Sequence, residues 1–143
     1  MTIGRITADR GGEVWTISAD RTVAEAVALL AEKRIGALPV SDGEGGVAGI
    51  FSERDVLYCL NVHGAGALSL KVSDAMTAPV ISVDPGTPVL EALSLMTRRR
   101  IRHLPVVEGG RMVAFVSIGD LVKHRLDSVQ AEAEAMLAYI QTA

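Results

Sequence analysis

Hydrophobic and polar positions fall into two passages that repeat the same order of periods. In the first, a short apolar segment from Trp15 to Ser18 precedes Val23, Ala26, Val27 and Leu30 at helical spacing, and two strand-like stretches follow, Ala37 to Ser41 and Val47 to Phe51. In the second, Val80 to Val83 precedes Val89, Ala92, Leu93 and Met96, followed by His103 to Val107 and Met112 to Val116. Thr22 with Glu25 has capping-box spacing, whereas Pro88 after Thr87 predicts a helix with proline at its first position. Gly-rich turns, Asp42 to Gly46 and Glu108 to Arg111, suit hairpins, and a closing helix opens at Ser52 and at Ser117. Each passage predicts β-α-β-β-α.

The two passages are copies of one unit. A shift of 66 residues lays Val23 on Val89, Glu25 on Glu91, Leu38 on Leu104, Pro39 on Pro105 and Gly43 on Gly109. Dropping one residue in the Gly-rich turn changes the shift to 65 and aligns Ser52 with Ser117 and Asp55 with Asp120. The expected division is unit 1 over residues 1–62, a Gly/Ala-rich linker over 63–71 (its composition begins at Asn61), unit 2 over 72–126 and a C-terminal helix over 127–143. Val129, Ala133, Met136, Leu137 and Ile140 share one face of that last helix, which makes it amphipathic and in need of a partner. Units of about fifty residues bury little core alone, so the two are expected to pack pseudo-symmetrically as one α+β body.

Composition narrows the function. Hydrophobic residues make up 49% of the 143 and mean hydropathy is +0.32, which excludes a disordered chain. Aromatic residues are 3% and the formal charge is -3, which argues against base-stacking platforms and a general nucleic-acid surface. Cys59 is the single cysteine, so neither an internal disulfide nor a Cys-x-x-Cys site is available and a reducing compartment fits. Met1 to Gly12 lacks a signal-peptide core, and no apolar run approaches the roughly 18 residues needed to cross a bilayer. The expectation is a cytoplasmic protein without membrane attachment.

The duplicated motifs carry a resemblance. Thr-Val-Ala-Glu-Ala (22 to 26), Ile-Gly-Ala-Leu-Pro-Val (35 to 40) and Gly-Ile-Phe-Ser-Glu-Arg-Asp-Val-Leu (49 to 57) occur in the first copy. Val-Ser-Asp-Ala-Met-Thr (72 to 77), Arg-His-Leu-Pro-Val (102 to 106) and Val-Ser-Ile-Gly-Asp-Leu-Val (116 to 122) occur in the second. Over nearly its whole length the chain resembles a tandem pair of cystathionine-β-synthase (CBS) domains, a Bateman module of the stand-alone bacterial kind. That resemblance implies a cleft in each unit for an adenine ligand such as AMP, ADP, ATP, NAD(H) or S-adenosylmethionine, and association of two chains into a homodimer. It implies a regulatory module that signals energy or redox state to a protein effector, with no catalytic cofactor. The alternative is a ligand-free scaffold.

Ser52 with Asp55, and Ser117 with Asp120, stand where a strand turns into a helix. Either pair can serve as a helix cap, worth about 1 kcal/mol. The same carboxylate can also accept hydrogen bonds from the vicinal hydroxyls of a ribose, and the resemblance implies that role. Arg102 and His103 are candidates to hold phosphate, where the first copy has Gly36 and Ala37. Arg54 is a further phosphate candidate, replaced by Gly119 in the second copy, so the two clefts are expected to differ. The resemblance places the adenine pocket at Thr16, Ile17, Ser82 and Val83 on the first strands, and at Leu38, Pro39, Leu104 and Pro105 on the second. The three histidines have no metal-ligand spacing, and no Ser/His/acid or Cys/His arrangement suggests catalysis, so an enzyme is not expected.

Overall fold

The computed structural model describes residues 1–10 and 14–142. The elements run α1 (Ile3–Arg10), β1 (Ile17–Ser18), α2 (Val23–Lys33), β2 (Ala37–Ser41), β3 (Val47–Ser52), α3 (Glu53–His63), a 3-10 segment (Gly64–Ser69), α4 (Val72–Ala75), α5 (Val89–Arg99), β4 (His103–Glu108), β5 (Arg111–Ser117) and α6 (Ile118–Thr142). β2 pairs with β1 in parallel and with β3 antiparallel, while β4 and β5 form an antiparallel ribbon. The α+β class and the two-unit organisation therefore hold.

Each unit closes around its own apolar cluster. Ile17, Val23, Ala26, Leu30, Leu38, Val40 and Phe51 fill the first, and Val83, Val89, Ala92, Met96, Leu104, Val106, Val116 and Leu121 fill the second. The helical spacing and strand alternation of the sequence deliver these side chains to one side of each sheet. Glu108 and Arg111 close the β4–β5 hairpin around Gly109 and Gly110, both at positive φ (59° and 78°), as a two-residue loop of the I′ type requires.

The units are joined by an exchange of arms. Val72, in the segment that introduces unit 2, is fully buried in the core of unit 1, and Ile3, in the segment that introduces unit 1, is fully buried in the core of unit 2. The hydrogen bonds match pair by pair. Val72 N–H donates to Arg21 O at 2.8 Å and Ser73 N–H to Ala19 O at 3.0 Å, while Ile3 N–H donates to Thr87 O at 2.9 Å and Gly4 N–H to Pro85 O at 2.8 Å. In return Val23 N–H donates to Leu70 O at 2.8 Å and Val89 N–H to Met1 O at 3.1 Å. At the hairpin tips Met112 N–H reaches Gly45 O at 2.9 Å, a second link between the units.

Several expectations are corrected. The first strand of unit 1 is confined to Ile17 and Ser18, and Trp15 instead lies under the Lys33 ammonium at 4.0 Å. Val80 to Val83 is no strand: one parallel bridge joins Val83 to Val106, with Val107 N–H donating to Val83 O at 2.8 Å. Pro88 occupies the N-cap of α5 rather than its first helical position, and the Thr87 hydroxyl bonds the Asp84 carboxylate. Within the expected linker, α3 extends to His63 and a 3-10 turn buries Ala67. The closing helix of unit 2 and the C-terminal helix are one, α6, because neither proline nor an interior glycine after Gly119 interrupts it. α1 has too few apolar positions to signal itself, and residues 11–13 and 143 lie outside the described residues.

Candidate functional site

Ser52 and Ser117 each end a strand and cap the helix that follows. Ser52 is the N-cap of α3: its Oγ accepts from Asp55 N–H at 3.4 Å, while Asp55 Oδ2 accepts from Ser52 N–H at 2.8 Å and from the Ser52 hydroxyl at 3.1 Å. The second copy repeats the box, with Asp120 N–H donating to Ser117 Oγ at 3.2 Å and Ser117 N–H to Asp120 Oδ2 at 2.8 Å. The cap role of both motifs is therefore in place.

Asp55 has a further donor in the segment that introduces the second unit. The Thr77 hydroxyl donates to Asp55 Oδ1 at 2.8 Å, so both oxygens of that carboxylate accept from groups of the chain itself, and Asp55 is 8% exposed. Thr77 is held there by a two-way bridge to β3, with Ile50 N–H donating to Thr77 O at 3.0 Å and Thr77 N–H to Ile50 O at 2.8 Å. Asp120 is half-buried.

The strand register gathers the remaining candidates of unit 2. His103 stands opposite Ser117 in the β4–β5 ladder, and Ile118 N–H donates to Arg102 O at 2.8 Å, which sets both residues beside the first turn of α6. The His103 ring stacks on Phe115 with centroids 5.5 Å apart and an interplanar angle of 11°. Burial lowers the His103 pKa, with Arg102 acting in the same sense and the carboxylates of Asp120 and Glu53 opposing. Glu53 belongs to the other unit, so this imidazole senses a carboxylate from each. Ala37 stands opposite Ser52 in the first unit and Glu53 N–H donates to Gly36 O at 3.1 Å, the same scaffold without the basic side chains. A methyl group built on Gly36 would lie 3.6 Å from His103 Cε1, so the bare glycine faces the imidazole across the two units.

Other candidates fall elsewhere. Leu38, Pro39, Leu104 and Pro105 are buried, Ile17 and Val83 belong to the cores, and Thr16, Arg54 and Ser82 are exposed. Ser82 and Val83 line a cleft of about 360 Å³ with Asp84, Thr87, Glu91 and Arg98, whose lining includes none of Arg102, His103, Ser117 or Asp120. Glu53, Thr77 and Phe115 are the residues that reasoning from sequence missed. The hairpin register was the available signal for Phe115, diagonal to His103 across the ladder. Among the described residues no group of His, Cys, Asp and Glu could hold a metal ion, and no helix is long and apolar enough to cross a membrane.

Comparison with known proteins agrees with this architecture. The CBS domain family matches residues 8–61 and 72–127. The chain is 42% identical over 135 residues to CBS domain-containing protein CBSX3, mitochondrial, of Arabidopsis thaliana, covering 92% of this chain but 65% of that relative's length. It is 29% identical over 119 residues to YhcV of Bacillus subtilis, covering 83% of this chain and 84% of that one. Among solved structures, the CBS-domain containing protein ATU1752 from Agrobacterium tumefaciens superposes with a TM-score of 0.82 at 37% identity, covering 87% of this chain and 99% of that one. CBSX2 in complex with AMP superposes with a TM-score of 0.75 at 25% identity, covering 88% and 96%. With two matched domains spanning most of its length and the arms of each folded onto the other, the chain belongs to the CBS domain family as a tandem pair.

Proposed function

We propose that this chain is a non-catalytic regulatory module that binds an adenine nucleotide, AMP, ADP, ATP or NAD(H), between its CBS units. The observation that carries the reading is the pairing of His103 with Ser117, which collects an imidazole, a guanidinium, a hydroxyl and the Asp120 carboxylate around the first turn of α6. Asp120 accepts hydrogen bonds from the ribose hydroxyls. Arg102, His103 and the helix N-terminus take the phosphates, whose charge the N-terminal end of α6 favours. Ser82, Val83, Leu104 and Pro105 border the adenine, with exposed Ser82 at the surface and the leucine side chain committed to the core.

The first cleft, with Thr16, Ile17, Gly36, Ala37, Leu38, Pro39, Ser52, Arg54 and Asp55, is the weaker site. Its carboxylate already has donors on both oxygens, and its strand start carries no cation. Saturation of Asp55 is the observation that favours the alternative, a ligand-free scaffold, for this cleft. Bound ligand shifts the relative arrangement of the units, or of two chains in a homodimer, by its differential affinity for the arrangements, and a protein effector in the cytoplasm reads the outcome.

Thermal unfolding against AMP, ADP, ATP, NAD, NADH and S-adenosylmethionine tests the reading. A ligand at about 100 times its dissociation constant adds roughly 2.7 kcal/mol, a rise of several degrees for a chain of this size. No rise with any of the six, from a folded protein, overturns nucleotide binding in favour of the scaffold.

A further inference from the structure

Glu53 is the first residue of α3, and its backbone N–H donates to Gly36 O at 3.1 Å. Ile118 holds the same place in the second copy, donating to Arg102 O at 2.8 Å, so the duplicated scaffold carries a carboxylate at one junction and an apolar side chain at the other. A methyl group built on Gly36 would lie 4.0 Å from Glu53 Cδ and 3.8 Å from His103 Nε2. The carboxyl group of one unit and a ring nitrogen of the other therefore border one gap, and the missing side chain of Gly36 keeps it open.

Three charged side chains act on the His103 ring, Asp120 and Arg102 of its own unit and Glu53 of the other, while Phe115 stacks against it. Asp120 and Arg102 already have roles at the nucleotide site, as ribose and phosphate partners. Glu53 has none. An anion that accepts a hydrogen bond from His103 Nε2 enters the gap that Glu53 borders, and the carboxylate opposes it there, more strongly for each further charge the anion carries.

We propose that Glu53, contributed by unit 1, is a specificity-determining residue of the nucleotide site in unit 2, a role that rests on the reading of that cleft as a nucleotide site. It discriminates against phosphate charge, and so holds down the advantage of a triphosphate over a monophosphate that Arg102, His103 and the α6 N-terminus confer. Glu53 also favours the imidazolium form of His103, which attracts phosphate, so its two effects oppose each other at low pH. At pH 8 the imidazole is neutral with or without Glu53, and the repulsion stands alone.

Calorimetric titration of the full chain with AMP and with ATP in EDTA, at pH 8 and pH 6, tests the proposal. Glu53 is exposed, so Glu53→Gln keeps the shape of the side chain and removes its charge. The ratio of ATP to AMP affinity is expected to rise about tenfold in Glu53→Gln at pH 8 and by less at pH 6, whereas Glu53→Asp, which keeps the charge, stays close to wild type. An unchanged ratio in Glu53→Gln, beside a wild type that binds nucleotide, overturns the role of Glu53 and leaves the nucleotide site standing. A ratio raised equally in Glu53→Asp overturns it too, because shape rather than charge would then be the cause. A wild type that binds neither nucleotide overturns both the role and the site.

Discussion

The Thr77 hydroxyl donates to Asp55 Oδ1 at 2.8 Å across 22 residues of chain, and so ties the segment that introduces the second unit to the helix cap of the first. The bond completes the donors on a carboxylate that already closes a capping box with Ser52. Thr77→Val leaves Asp55 Oδ1 without that donor, with an expected cost of about 1–3 kcal/mol. Asp55→Ala, which removes the cap as well, is expected to destabilise more than Thr77→Val. Urea unfolding of the two variants measures the order. A Thr77→Val variant as stable as wild type would show that Thr77 contributes nothing.

Ile3 predicts a test of the arm exchange. Its side chain is fully buried against Val83, Val89 and Leu104 of the other unit, so Ile3→Ala is expected to cost about 2–4 kcal/mol. The loss falls on unit 2: in hydrogen exchange the β4–β5 amides lose protection before those of β2 and β3. Loss confined to unit 1 would contradict the exchange.

His103 makes stability depend on pH. Burial, reinforced by Arg102 and opposed by Asp120 and Glu53, holds its pKa below the ordinary 6.5, and Phe115 covers one face of the ring. The unfolded chain therefore protonates this group at a higher pH than the folded chain does. Its contribution to stability is complete above pH 6.5 and is lost as the pH falls through that value toward the lower folded pKa. The urea midpoint of the wild type is expected to fall on acidification through this window, and His103→Gln to flatten that fall. Nucleotide phosphate beside the ring favours the protonated form, so ligand affinity rises as the pH falls. A His103→Gln profile identical to wild type would contradict the assignment.

Much of the fold was legible because it follows from spacing. The Thr22–Glu25 pair caps α2 as the sequence predicts, with Glu25 N–H donating to Thr22 Oγ1 at 3.1 Å, and the glycines at 109 and 110 make the expected turn. The 66-residue repeat locates Ser52, Ser117 and both aspartates at equivalent junctions. Illegible were contacts that cross the repeat. Ile3 lies in a segment without a sustained period, and nothing local in Val-Ser-Asp-Ala-Met-Thr announces that Val72 enters the opposite core or that Thr77 saturates Asp55. The donor to Asp55 Oδ1 comes from a residue 22 positions away, which repeat alignment cannot weigh.

Calorimetric titration with AMP, ADP and ATP of the wild type, Asp55→Asn and Asp120→Asn tests the central claim most directly. The account predicts tight binding at one site per chain, strengthening with phosphate number. It predicts loss of that site in Asp120→Asn and retention in folded Asp55→Asn. Binding that survives Asp120→Asn and disappears in a folded Asp55→Asn would contradict the account.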